Sequence, residues 1–196
     1  QEVRTTREIT KNPDGTITHE KSICPRQGDA FAIAAAPGFD KVWFKNGAVP
    51  LKTKALQWEK LKYHGLNGGQ KVRGSYLCLP LSFLAEAFGG DYEAQEDGAA
   101  VRVTLGDGRI LAFAEGSILC RIDHTARQMY CEALRRDGEL LVSAEWFAKY
   151  FFHMTVSKCG DMLYITDHFA DLSAFMVDLI KDIFTEDMMQ ENYFRK

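Results

Sequence analysis

Apolar and polar positions change their period several times along the chain, and the changes mark out its elements. Residues 76–79 are a short, solidly apolar run, the pattern of a buried strand. Pro80 closes it, since proline gives no N–H to a ladder yet suits a first helical turn. In Leu81-Ser82-Phe83-Leu84-Ala85-Glu86-Ala87-Phe88, Leu81, Leu84, Ala85 and Phe88 share one helical face. Gly89-Gly90 supplies a C-terminal stop, because glycine takes a left-handed cap without steric cost, and residues 100–105 read as a strand again. The order strand, helix, stop, strand returns further on. Residues 140–151 repeat the apolar order of 77–88, with Trp146-Phe147-Ala148 over Phe83-Leu84-Ala85 and Phe151 over Phe88. A strand follows each helix, at 101–104 and 163–166. Internal duplication explains this best, although the second copy lacks both the proline and the glycine pair.

Residues 3–21 form a Thr- and Ile-rich hairpin around Lys11-Asn12-Pro13-Asp14-Gly15-Thr16, a strong turn sequence. Residues 29–36 are alanine-rich and suit a buried strand or a short helix; their length and the following Pro37-Gly38 favour the strand. Asn46-Gly47 between short apolar flanks is the strongest short hairpin signal. Residues 55–62, ALQWEKLK, place Trp58 and Leu61 three apart and suit a short helix. The glycine-rich 64–69 lacks the strand-to-helix setting of a phosphate loop. Residues 118–122 and 128–133 read as a hairpin around 123–126, and Asp137-Gly138 turns into the second copy. Phe169, Leu172, Phe175, Met176, Leu179, Ile180 and Ile183 then make a helical stripe opposite Asp171, Asp178, Lys181 and Asp182. Its usual meaning is a helix docked on its own core, with a partner-binding helix as the alternative. The tail 188–196 reads as loose.

The expected fold class is therefore α+β: antiparallel sheets and hairpins with two repeat helices packed on them, plus a C-terminal amphipathic helix. Expected boundaries are 1–40 for an N-terminal hairpin and extension, 41–106 and 107–167 for the two copies, and 168–196 for the helix and tail.

Composition narrows this little. The chain has 196 residues, enough for a real core, and a net charge of −3, too small to argue for nucleic acid. Lysines crowd residues 41–73 and acids the end, which reads as two solvated faces. No apolar stretch is long enough to span a membrane. The chain opens on Gln1, as a processed or excised piece would, so the missing leader leaves the compartment open. The five cysteines contain no CxxC, against a zinc or thioredoxin reading. Cys120 and Cys131 would face each other across the 118–133 hairpin, which permits a disulfide; buried thiols are the other reading. No two histidines fall two, three or four apart, so no local spacing supports a metal site. No nucleophile elbow, zinc helix or calcium loop occurs. Glu86, Glu115 and Glu145 are candidates for a carboxylate pair, better explained as solvated positions.

The run LCLPLSFLAEAFGGDYE, together with the Asn46-Gly47 hairpin, resembles the copper-amine-oxidase N-terminal-like domain, a stalk module of bacterial surface and secreted proteins. Ser82 departs from that pattern, standing where many members carry a basic residue. The resemblance implies a non-catalytic accessory or binding module, secreted or at the cell surface. It implies contact with cell wall, polysaccharide or a partner protein, and neither cofactor nor copper chemistry: Asn192-Tyr193 is followed by Phe194, so the quinone motif is missing. Flat rings stack on sugars and anchor protein contacts, which makes Trp43, Trp58, Tyr92, Tyr130 and Trp146 the candidate ligand residues. The alternatives are a fragment of a carbohydrate-active enzyme and a protein-protein or homodimerisation module.

Overall fold

The structure, a computed structural model, describes residues 2–11, 13, 17–26, 31–64, 70–168, 170 and 172–194. Two compact units divide it, 1–31 and 32–196. The first is an antiparallel ribbon of β1 (Glu2–Lys11) and β2 (Ile17–Arg26), with Ile9 opposite His19.

The second unit is mostly antiparallel sheet with helices, an α+β architecture. Its centre is a four-stranded sheet of β6 (Leu56–His64), β7 (Gln70–Pro80), β14 (Glu139–Ser143) and β13 (Leu134–Arg136), in the order β13-β14-β7-β6. Strands β7 and β14 meet antiparallel with Leu79 opposite Val142. Each runs directly into a helix, α1 (Leu81–Ala87) after β7 and α2 (Ala144–Phe152) after β14. Each helix packs on the other's strand as well as its own: α1 touches β14 and α2 touches β7.

The two helices start and stop by different means. Pro80 stands before α1 with no side-chain cap, whereas the Ser143 hydroxyl accepts from Trp146 N–H at 3.3 Å and caps α2. Gly89 takes the left-handed conformation after α1, and His153 takes it after α2. Gly90 N–H then reaches the Ala85 carbonyl, and Met154 N–H that of Ala148. Among non-glycine residues histidine is one of those enriched in that region, so α2 ends without a glycine.

Each helix leads to a hairpin. After α1 come β8 (Asp91–Gln95) and β9 (Ala100–Thr104), extended by β10 (Ile110–Ala114), β11 (Leu119–Ile122) and β12 (Thr125–Gln128) in the order β12-β11-β10-β9-β8. Val101, Val103, Leu111, Phe113, Cys120 and Ile122 are buried in alternation, so this sheet has one core face. After α2 come β15 (Thr155–Cys159) and β16 (Met162–Thr166), extended by β3 (Ala32–Ala35), β4 (Lys41–Phe44) and β5 (Gly47–Pro50) in the order β15-β16-β3-β4-β5. Both faces of this sheet are covered. Phe44 meets Phe83 of α1 edge-on at 5.7 Å, and Ala34, Ala36 and Met162 pack against Val177, Ile180 and Phe184 of α3 (Ala174–Phe194). The alanine run is the closely covered strand β3.

Four local expectations change. Residues 55–62 belong to strand β6, because pairing along the whole of β7, from Leu56 opposite Cys78 to His64 opposite Gln70, outweighs a weak local helical spacing. The hairpin turn after β11 is tight, with Asp123 at φ 52° and Thr125 already opposite Ile122. Cys120 therefore lies opposite Arg127 and away from Cys131, so of the two readings left open for this pair the buried thiols hold and the Cys120–Cys131 bridge does not. The last helix docks through Val177, Ile180 and Phe184, leaving Phe175, Met176 and Leu179 at 74%, 40% and 42% exposure. It also continues to Phe194, since no glycine or proline interrupts the helix-forming Met188-Met189-Gln190-Glu191. Phe169 lies outside the described residues. Among those residues no helix is long and apolar enough to cross a membrane.

Candidate functional site

The turn Asp137-Gly138 and the first residue of β14 make three separate attachments to the earlier half of the chain. Asp137 Oδ2 accepts from the buried Thr53 hydroxyl at 2.8 Å. Gly138 lies against Gly98 of the β8–β9 turn, so close that a Cβ on Gly98 would overlap the Gly138 carbonyl oxygen. The Glu139 carboxylate accepts from the Ser82 hydroxyl at 3.0 Å and the Tyr92 phenol at 3.3 Å. Only 6% of Glu139 is exposed. A buried carboxylate is costly without partners; here two hydroxyls supply them, and Lys52 Nζ stands 4.0 Å away with its side chain largely in solvent.

A cleft of about 490 Å³ opens over these hydroxyls, lined by Val49, Pro50, Phe83, Glu86, Gly90 and Tyr92 among others. A second, of about 530 Å³, runs past Asp40, Thr53, Gln57, Arg136 and Asp137. Leu51 and Lys52 line both, so the two clefts meet across them. With their O–H groups donating to Glu139, Ser82 and Tyr92 present acceptor lone pairs to the cleft, while Lys52 presents donors. Phe83 and Pro50 provide apolar surface beside them. This combination of a few convergent polar groups on an apolar lining suits a neutral, hydroxyl-bearing ligand.

Burial raises the Tyr92 phenol to about 12, and the neighbouring Glu139 charge and hydrogen bond push the same way. The folded form thus holds this proton more tightly than the usual value of 10.0. The resulting stabilisation is complete below that value and is lost as pH rises toward about 12. In an alkaline titration followed by phenolate absorbance, one late-ionising tyrosine is expected to vanish in Tyr92→Phe. Loss instead of a tyrosine that ionises near 10.0 would mean that Tyr92 is not buried beside Glu139 as described.

Of the five aromatic candidates, only Tyr92 borders the cleft. Trp43 packs beneath α3 with Ala34 and Met162. Trp58 packs on the opposite end of the central sheet beside Tyr76, and Tyr130 lies 6.0 Å from the Tyr76 ring. Trp146 is 3% exposed, with Tyr150 stacked on it and Phe151 edge-on. Glu115 faces Arg135, and Glu145 bridges Lys149 and Lys158. Glu139, Lys52 and Thr53 escaped the sequence reading. A signal existed for the first: a glutamate opening the otherwise apolar Leu140-Leu141-Val142 run is a charge inside a fully buried strand.

No protein-family model matches the chain, and no curated protein or solved structure shows significant similarity to it.

Proposed function

We propose that this chain is a non-catalytic binding module of a secreted or cell-surface protein, and that its ligand is a polysaccharide such as a cell-wall glycan. The cleft over Glu139 carries the reading: Tyr92, Ser82 and Lys52 offer acceptors and donors together on its wall, beside Phe83 and Pro50. The stalk-type resemblance of the first helix supports the same reading. So does the repeated order of strand, helix and hairpin, which we take as the trace of one duplicated unit. In support, Leu79 and Val142, which the sequence match superposes, face each other at the centre of the β7–β14 pair. Each copy's hairpin also pairs beyond that copy, β9 with β10 of the second and β16 with β3, which precedes the first.

Titration of the protein with cell-wall and plant oligosaccharides, followed by amide chemical shifts, is expected to perturb Lys52, Ser82, Gly90 and Tyr92. Tyr92→Ala is expected to weaken binding about tenfold, about 1.4 kcal/mol. Shifts that avoid these residues would overturn the site. Release of shortened glycans, followed by mass, would replace a binding module by a carbohydrate-active enzyme, with Glu86 on the cleft wall as the first carboxylate to test. The exposed Phe175, Met176 and Leu179 favour a second reading, a homodimer through α3. A dimer mass in solution that Phe175→Ser reduces to the monomer would support it.

A further inference from the structure

One face of the central sheet holds a small core of its own. Cys78, Cys131, Leu134 and Leu141 are buried there, with Leu56, Trp58 and Tyr76 packed against them. Cys78 belongs to β7 and Cys131 to the segment 129–133 that links β12 to β13. That segment is no ladder strand: Met129 N–H donates to the Ile118 carbonyl and Ala133 N–H to that of Ser117. Within it Cys131 turns inward, so that its Sγ lies 3.7 Å from Cys78 Sγ, and both residues are fully buried. Two sulfurs in van der Waals contact, on side chains already aimed at each other, are one small approach from a covalent bond. Cys120 and Cys159 stand elsewhere, opposite Arg127 and Met162. Cys24 lies opposite Arg4 in the separate ribbon.

We propose that Cys78 and Cys131 are a disulfide pair that cross-links the first half of the chain to the β12–β13 segment. The oxidant is a second disulfide, such as oxidised glutathione or a thiol-disulfide oxidoreductase. One protein thiol loses its proton and attacks a sulfur of that disulfide, releasing one reduced thiol and leaving a mixed disulfide. The other protein thiolate then displaces the second reduced thiol. One S–S bond forms and one breaks, and two electrons and two protons pass to the oxidant. The Cys131 thiol beside it, then burial, hold the Cys78 thiol well above the usual range, so the reduced pair is inert while folded. The bridge therefore forms chiefly while the chain folds or while the 129–133 segment opens. It closes a loop between positions 53 apart that contains α1 and the strands β8 to β12.

The test is a non-reducing peptide map of the full chain refolded from its reduced state in oxidised and reduced glutathione. One linked peptide pair joining Cys78 to Cys131, lighter by two hydrogens than its reduced parts, is the expected result. The bridged protein is expected to melt about 10 °C above its reduced form, from the restricted unfolded chain. That difference is expected to persist in Cys120→Ala and to disappear in Cys131→Ala. Recovery of Cys78 and Cys131 alkylated after refolding, or of either joined to Cys24, Cys120 or Cys159, overturns the proposal. The map reads the wild-type chain, so it stands even if a variant fails to fold.

Discussion

Phe147→Ala is expected to destabilise the protein by about 3–5 kcal/mol, the range for emptying a buried aromatic site. Phe147 has no exposed surface. Its ring centroid lies 5.6 Å from Phe88, 5.2 Å from Phe151 and 6.0 Å from Phe152. Phe88 follows α1 and the others belong to α2, so this one cluster joins the two helices. The neighbours are rings fixed by stacking, Phe88 on Phe152 at 4.4 Å, and cannot collapse easily into the vacated space. Denaturant unfolding is expected to show the midpoint falling with little change in slope. Phe88→Ala, at a half-buried position, is expected to cost less. The double variant is expected to be non-additive by about 0.5–3 kcal/mol, since the two rings touch. Additive losses would mean that the helices do not share a core.

Gly98→Ala is the second large effect, expected at about 2–4 kcal/mol. Gly98 has φ +89°, where an L side chain is strained, and the added methyl would strike the Gly138 carbonyl oxygen rather than a movable side chain. Gly108 separates the two costs: at φ +90° it has open space around the same position. Gly108→Ala is therefore expected to cost only the dihedral strain, about 1 kcal/mol. The difference between the two measures the contact between turns. Moving Gly138 also moves Glu139, so Gly98→Ala is expected to lower the Tyr92 pKa from about 12. Equal losses at Gly98 and Gly108 would show that the turns do not touch.

The errors of the sequence reading share a cause. Residues 55–62 have a local spacing that suits a helix, but their neighbour β7 is long and offers a full ladder. The apolar arc of the last helix is broad enough to dock at several rotations, and the alanines of β3 select the Val177–Ile180–Phe184 ridge. The partner of Cys120 turned on the length of the turn after β11: two residues place Arg127 opposite it, and only six would place Cys131 there, a choice no local pattern decides. Trp146 and Phe147 are adjacent on one helix and yet both buried, because α2 is covered on more than one side.

From the residues alone came everything governed by neighbours in sequence: the apolar strand, the helix opened after Pro80 and closed by Gly89, the Asn46-Gly47 hairpin, and an α+β chain rich in antiparallel pairs. These follow from dihedral preferences and from the period of burial, which act within a few residues. Folding alone decided which strands adjoin, which face of α3 is covered, that Cys131 meets Cys78, and that Glu139 lies beneath Ser82 and Tyr92. Those partners are 47 to 57 positions apart. Their meeting depends on how whole sheets pack, a cost and gain spread over many residues that no single stretch of sequence records.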